Sequence, residues 1–243
     1  MNSNDILNKE RIKKWTVRLL SIAFVILLVQ NGALVILVGY FITPSYIIDL
    51  IGFLLLAGGY LLYSTQEVEH KRYYFLGGLC ILGWTICRVL YQFIIPFLFI
   101  PQLVELCPED YSISTAADYW MIFIRFFAGV KCPFLPLWTT VMTVSIFIGG
   151  LALALGSIAI WRTQKEKKGH EMFMVYGVCN ALVISLFAVT GFPMMEPFFG
   201  GYEKHIFVTQ LILIVLYFLK GSIVPFLGVI AFSYKLKDIQ STR

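Results

Sequence analysis

Residues 137–161 read LWTTVMTVSIFIGGLALALGSIAIW, twenty-five residues without one charged side chain, and the next ten, RTQKEKKGHE (162–171), carry six. As a helix the first stretch is about 37 Å long at 1.5 Å per residue, enough to cross a hydrocarbon core of about 30 Å. Its terminal Trp161 and the basic run behind it are what a membrane–water interface selects. A soluble protein can also bury an apolar helix, but only if the rest of the chain supplies a polar exterior. Here it does not. Hydrophobic residues make up 59% of the chain and charged residues 14%, against about 45–50% and about 25% in soluble proteins. Aromatics reach 16%, with 21 Phe, and the mean hydropathy is +0.81. Most of that apolar surface must face lipid, which excludes a secreted, cytosolic or disordered protein. It also excludes a nucleic-acid binder, despite the net charge of +5.

Working outward from this stretch, five more runs are long enough to span: Leu19–Ile42, Tyr46–Tyr63, Tyr73–Phe99, Phe173–Phe192 and Ile206–Phe232. The first follows Lys9, Arg11, Lys13, Lys14 and Arg18 and so resembles a signal peptide. It is too long for a signal h-region of roughly 7–15 residues, and no small-x-small cleavage site follows, so it is expected to be a retained span. Fourteen of the 19 Lys and Arg lie in the N-terminal segment, the 65–72 loop, the 162–171 loop and the C-terminal tail. Only Arg125, Lys131 and Lys204 fall in the opposite connections. The positive-inside rule then places both termini in the cytoplasm and requires an even number of spans, most simply in a cell membrane. The expected fold is an all-α polytopic membrane protein: a basic segment over 1–18, a six-helix membrane domain over 19–232 and a cytosolic tail over 233–243. The tracts KERIKK and RTQKEKK read as topology signals that also meet anionic lipid.

The longest outer connection runs from Pro101 to Pro136. Its centre, YWMIFIRFFAGV (119–130), is too short to cross and carries Arg125. An outer interfacial helix with Tyr119 and Trp120 as belt residues is expected there, with a re-entrant segment as the alternative. Cys107 and Cys132 lie in the same connection, where oxidation is permitted, and are candidates for a disulfide. Cys80, Cys87 and Cys179 fall in apolar runs and are expected to stay free and buried.

Residues 50–66 and 148–164 align with Gly52 on Gly150, Leu55 on Leu153, Gly58 on Gly156 and Thr65-Gln66 on Thr163-Gln164, and each leads to a histidine, His70 or His170. The second and third spans and the fourth and fifth are therefore candidate copies of one hairpin, of a kind common in transporters. The alternative is that glycines simply permit close packing.

Three ionisable residues lie in or at the edge of the spans: Asp49, Arg88 and Lys220. A cation at mid-bilayer costs about 2.5–3.5 kcal/mol on insertion scales, so intramembrane charges are functional candidates by default. Arg88 stands 15 residues after the start of its run, about 22 Å along a helix, within reach of Asp49 near the outer end of the second span. Lys220 has no acid in its own run. Gly221 and Ser222 follow it, and Pro225 removes a donor and loosens the helix there. Around these charges Tyr91 continues the stripe Cys80, Trp84, Cys87/Arg88; Gln210 and Tyr217 share a face with Lys220; and Tyr176, Asn180 and Thr190 share a face of the fifth span. Converging, they would line a polar cavity with aromatic walls; otherwise they are helix–helix contacts. Gln30, Asn31, Thr139, Thr140 and Thr143 fit either account as interhelical hydrogen-bonding groups.

Motif chemistry is sparse. His70, His170 and His205 sit at loop–helix boundaries, and there is no H-E-x-x-H, no C-x-x-C, no G-x-S-x-G and no Walker loop. No metal or cofactor is expected, and an enzyme is the less favoured reading. The leading expectation is a small-solute, lipid or anion transporter or channel-like protein with Arg88 and Lys220 in its pathway. A membrane scaffold or accessory subunit is the alternative. It would associate with itself or bind a partner membrane protein through Glu105, Glu109, Asp110 and the aromatic outer segment. An intramembrane lipid-modifying enzyme using Glu196 or Glu203 comes third.

Overall fold

The computed structural model describes residues 3–36, 43–66, 69–94, 98, 136–191, 215–216 and 218–240. The expected interfacial segment 119–130, the candidate disulfide residues Cys107 and Cys132, Gln210, Tyr217, and the acids Glu105, Glu109, Asp110, Glu196 and Glu203 lie outside the described residues.

The described residues form six helices: α1 (Ser3–Ile36), α2 (Thr43–Ser64), α3 (Lys71–Val89), α4 (Pro136–Thr163), α5 (Lys168–Gly191) and α6 (Val224–Gln240). Two π turns adjoin them, Leu90–Ile94 directly after α3 and Leu219–Ile223 directly before α6. Stretches of four helices are long and apolar enough to cross a membrane: Ile47–Ser64, Thr143–Thr163, Lys168–Leu186 and, including the second π turn, Leu219–Ile239. This is the architecture of an integral membrane protein. Its outward side chains are Ile22, Val25 and Val29 on α1, Leu76 and Leu79 on α3, Leu151 and Leu155 on α4, and Leu182 and Leu186 on α5, all large and apolar. A soluble protein does not expose an apolar surface this extensive.

Two helices extend further than the apolar runs alone. α1 begins at Ser3, so much of the basic 1–18 segment continues without a break into the apolar stretch after it. α6 carries on to Gln240, through most of the 233–243 tail. Neither extension contains a Gly or Pro, so nothing local ends the helix.

Each helix packs on its neighbours in sequence, and α6 returns to pack on α1, which closes a ring. Periodicity explains the packing. The buried positions of α1 are Thr16, Leu20, Ala23, Phe24, Leu27, Gln30 and Asn31, and those of α3 with the π turn after it are Tyr74, Gly77, Gly78, Ile81, Trp84, Thr85, Arg88 and Tyr91. Steps of three and four keep each set on one helix face. Between helices, lipid tails are as apolar as leucine, so the ring is held by packing and polar contacts rather than by exclusion from water. An aromatic core supplies much of that packing. Phe24, Phe173 and Phe232 stand 6.0–6.5 Å apart, Tyr176 meets Phe232 edge-on at 5.0 Å, and Phe53 meets Trp84 edge-on at 6.4 Å. Such pairs contribute about 0.5–1.5 kcal/mol each.

The hairpins α2–α3 and α4–α5 are alike in plan, but their matched positions diverge. Gly156 packs directly on α3, whereas a side chain at Gly58 would meet nothing. His170 is buried, while His70 is exposed and adopts a left-handed backbone with φ 62° before α3.

Candidate functional site

The buried face of α3 carries Arg88 inward, one turn after Trp84. Opposite it, Asp49 lies in the early turns of α2, and the Arg88 Nη1 donates to Asp49 Oδ2 in an ion pair buried on the arginine side and half-buried on the aspartate side. Arg88 is only 5% exposed, and its guanidinium lies over the Trp84 ring at 5.3 Å from the centroid. Pairing and ring contact together compensate a charge that neither lipid nor water can solvate here. Two N–H groups of this cluster, Arg88 Nε and Trp84 Nε1, are buried and have no acceptor among the described residues.

Other helices complete the site. On α1, Asn31 donates to the Leu27 carbonyl at 2.7 Å and bonds the hydroxyl of Tyr176 on α5. Asn180, one turn further along α5, also donates to the Tyr176 hydroxyl, at 3.4 Å. Gly228 of α6 makes the approach possible: a Cβ there would stand 2.6 Å from Asn31 Oδ1 and 3.1 Å from a Tyr176 ring carbon. Tyr91, in the first π turn, and Tyr176 lie within electrostatic reach of Arg88. Lys220 is half-buried in the second π turn and faces the electrostatic field of both Arg88 and Asp49. The π turn is where Pro225 leaves the carbonyl of Gly221 without its usual donor.

Asp49, Arg88, Tyr91, Asn180 and Lys220 are thus brought to one region, joined by Asn31, Trp84 and Tyr176. Gln210 and Tyr217 are not described. Thr143 and Gln30 are buried; Cys80, Cys87 and Cys179 are free but half-buried rather than enclosed.

A second polar cluster lies at the basic end of the ring, and charge counting misses it. Lys235 is 3% exposed, with its ammonium 5.9 Å from the rings of both Tyr60 and Phe173. His170 Nδ1 faces Asp238 Oδ2 at 3.8 Å, and Gly169 leaves room for that carboxylate. Tyr60 stacks on Tyr74 at 6.1 Å, and Tyr74 hydrogen-bonds Thr163. Gln66 donates to Thr16 at 2.9 Å and ties the end of α2 to α1. The signal for Lys235 was helical register. Gly228, Ala231 and Lys235 fall on one face of α6 at steps of three and four.

Comparison with known protein families, curated proteins and solved structures finds no match. The site therefore stands on its own chemistry. Among the described residues it holds the three formal charges of Asp49, Arg88 and Lys220, hydroxyl and amide groups on two helices, and irregular helical turns beside both cations.

Proposed function

We propose that this protein is a six-span membrane transporter or channel-like protein for a small solute, with both termini cytoplasmic, and that Arg88, Asp49 and Lys220 line its pathway. The observation that carries this reading is the convergence of polar groups from α1, α2, α3, α5 and α6-proximal Lys220 on one depth of a closed helix ring. A ring built only for packing has no use for two cations and a carboxylate at that depth, because apolar side chains of similar volume pack at no electrostatic cost. The π turns add a second support: such turns concentrate at functional sites, where they free backbone groups and admit local movement.

The test is flux into liposomes carrying purified protein, with Lys220→Met compared against Lys220→Arg. The pathway reading expects Met to abolish flux and Arg to retain part of it. Full flux in both variants overturns it. A scaffold role is the second reading, favoured by the Asp49–Arg88 pair joining two adjacent helices. It expects no intrinsic flux and co-purification with a partner membrane protein or a second copy. The topology is checked separately by cysteine labelling at residues 3 and 242, which should react only from the cytoplasmic side.

A further inference from the structure

Four helices carry an outward stripe of large apolar side chains, and on each of them the stripe ends in an exposed cation. On α1 it runs Val29, Val25, Ile22, Arg18, and on α3 Leu79, Phe75, Arg72. On α4 it runs Ile148, Leu151, Leu155, Arg162, and on α6 Phe226 and Lys237 share it eleven residues apart. Steps of three, four, seven and eleven keep each set on one helix face. These four cations therefore continue the surface that meets lipid. Cross-helix contacts bring them to one end of the ring. Gln66 after α2 donates to Thr16 of α1, Tyr74 of α3 hydrogen-bonds Thr163 of α4, and a Cβ on Gly169 of α5 would stand 3.0 Å from the Tyr234 carbonyl carbon of α6.

Aromatic side chains mark the level. The Arg18 guanidinium lies 5.7 Å from the centroid of the Trp15 ring, and the Lys237 ammonium 5.8 Å from that of Tyr234. Both rings are exposed, and exposed Trp and Tyr belong at the headgroup level of a membrane helix. Beyond the hydrocarbon edge the headgroup layer is about 5–7 Å deep on each side, and one helical turn rises about 5.4 Å. Arg18 and Arg72 follow the last apolar residue of their stripes by about one turn and so stand among the phosphates. The sequence supplies the sign: the four segments of this end, 1–18, 65–72, 162–171 and 233–243, hold 14 Lys and Arg and 7 Asp and Glu. We propose that Arg18, Arg72, Arg162 and Lys237 form a collar that binds acidic phospholipids of the surrounding leaflet, one headgroup to each cation. A zwitterionic headgroup neutralises its own phosphate, whereas an acidic one leaves a net charge for the collar.

The experiment titrates full-length protein in detergent micelles with phosphatidylglycerol or phosphatidylcholine of identical acyl chains, and native mass spectrometry counts the bound lipids. Phosphatidylglycerol should bind about fivefold more tightly, the worth of one cation at an acidic surface. The combined variant Arg18→Gln, Arg72→Gln, Arg162→Gln, Lys237→Gln should bring the two lipids within about twofold of each other, although ten of the 14 cations of that end remain. Lysine at the three arginine positions keeps the charge and should keep the preference. If the combined variant does not fold, single replacements take its place, and each should remove one tightly bound phosphatidylglycerol. Equal binding of the two lipids by the unmodified protein overturns the collar. A preference that survives the combined variant, or every single one, assigns it to the loops at large and overturns the placement on the stripes. Displacement of phosphatidylglycerol by an equal concentration of glycerol 3-phosphate means a site for soluble phosphate and overturns the lipid assignment. The collar needs no transported solute, so its failure and that of the pathway around Arg88 are read separately.

Discussion

The ring carries two charged clusters, and they solve the same problem in different ways. Around Arg88 a cation meets a carboxylate directly, across two helices. Around Lys235 a cation lies between the rings of Tyr60 and Phe173, with Asp238 and His170 at its side, close to the basic loops. The nature of the partner is the difference. A lysine can bury its stem along aromatic rings and keep its ammonium at their edge. Arg88 instead meets its counter-charge directly and is neutralised where it stands. The Lys235 cluster therefore reads as packing that tolerates charge, and the Arg88 cluster as a site that requires it.

The contrast breaks most visibly if the ion pair is opened. Asp49→Asn leaves Arg88 buried without its counter-charge, and removal of one partner from a buried pair costs about 3–5 kcal/mol. Asp49→Leu combined with Arg88→Met should recover most of that loss, because two well-packed apolar groups need no compensation. Unfolding of each variant in mixed micelles measures both. A double variant as unstable as the single one would mean that the pair positions the helices in a way apolar contact cannot replace.

Packing at the site provides the next largest effect. Gly228→Ala puts a methyl group 2.6 Å from Asn31 Oδ1, so Asn31 or Tyr176 must move. Overpacking of this kind costs about 1–3 kcal/mol. Gly221, in the adjoining π turn, has nothing within 4 Å of the same added methyl. Gly221→Ala should therefore change stability by less than ~1 kcal/mol, and any loss of flux it causes would come from stiffening the turn. Comparing melting temperature with flux for the two variants separates a tight wall from a movable one.

The two clusters also differ in how far the amino-acid sequence discloses them. Arg88 and Lys220 are conspicuous because a charge inside a twenty-residue apolar run has few explanations, and Asp49 follows as the acid near the right end of the adjacent run. The burial of Asn180 and Tyr91 follows from helical spacing. Lys235 is hidden, because topology rules count every cation beyond Phe232 as solvated. The signal against that is one of register: α6 has no Gly or Pro after Gly228, so the buried face continues through Ala231 to Lys235. His170 is hidden for a related reason, since a histidine at a loop–helix boundary is ordinarily exposed, as His70 is. Which N–H groups lack acceptors depends on side-chain geometry across helices, and no spacing reports it.

Lys235→Met tests the second cluster by keeping the stem and deleting the charge. Cation–π contacts contribute about 0.5–2 kcal/mol, and the loss is partly returned because a buried ammonium no longer has to be desolvated. The expected net change is about 1 kcal/mol or less in either direction, measured by the same unfolding assay. A loss as large as that of Asp49→Asn would place Lys235 in the same class as Arg88 and erase the distinction.

Tyr60→Phe should have the smallest effect, and its sign is informative. The Tyr60 hydroxyl is buried and has no hydrogen-bond partner among the described residues, while its ring stacks on Tyr74 and faces Lys235. Phenylalanine keeps the ring contacts and removes an unsatisfied polar group, so stability should stay within ~0.5 kcal/mol or rise slightly. A destabilisation above ~1 kcal/mol in Tyr60→Phe would show that the hydroxyl is bridged by a buried water to His170 or Asp238. The Lys235 cluster would then be a connected polar network rather than a packed cation.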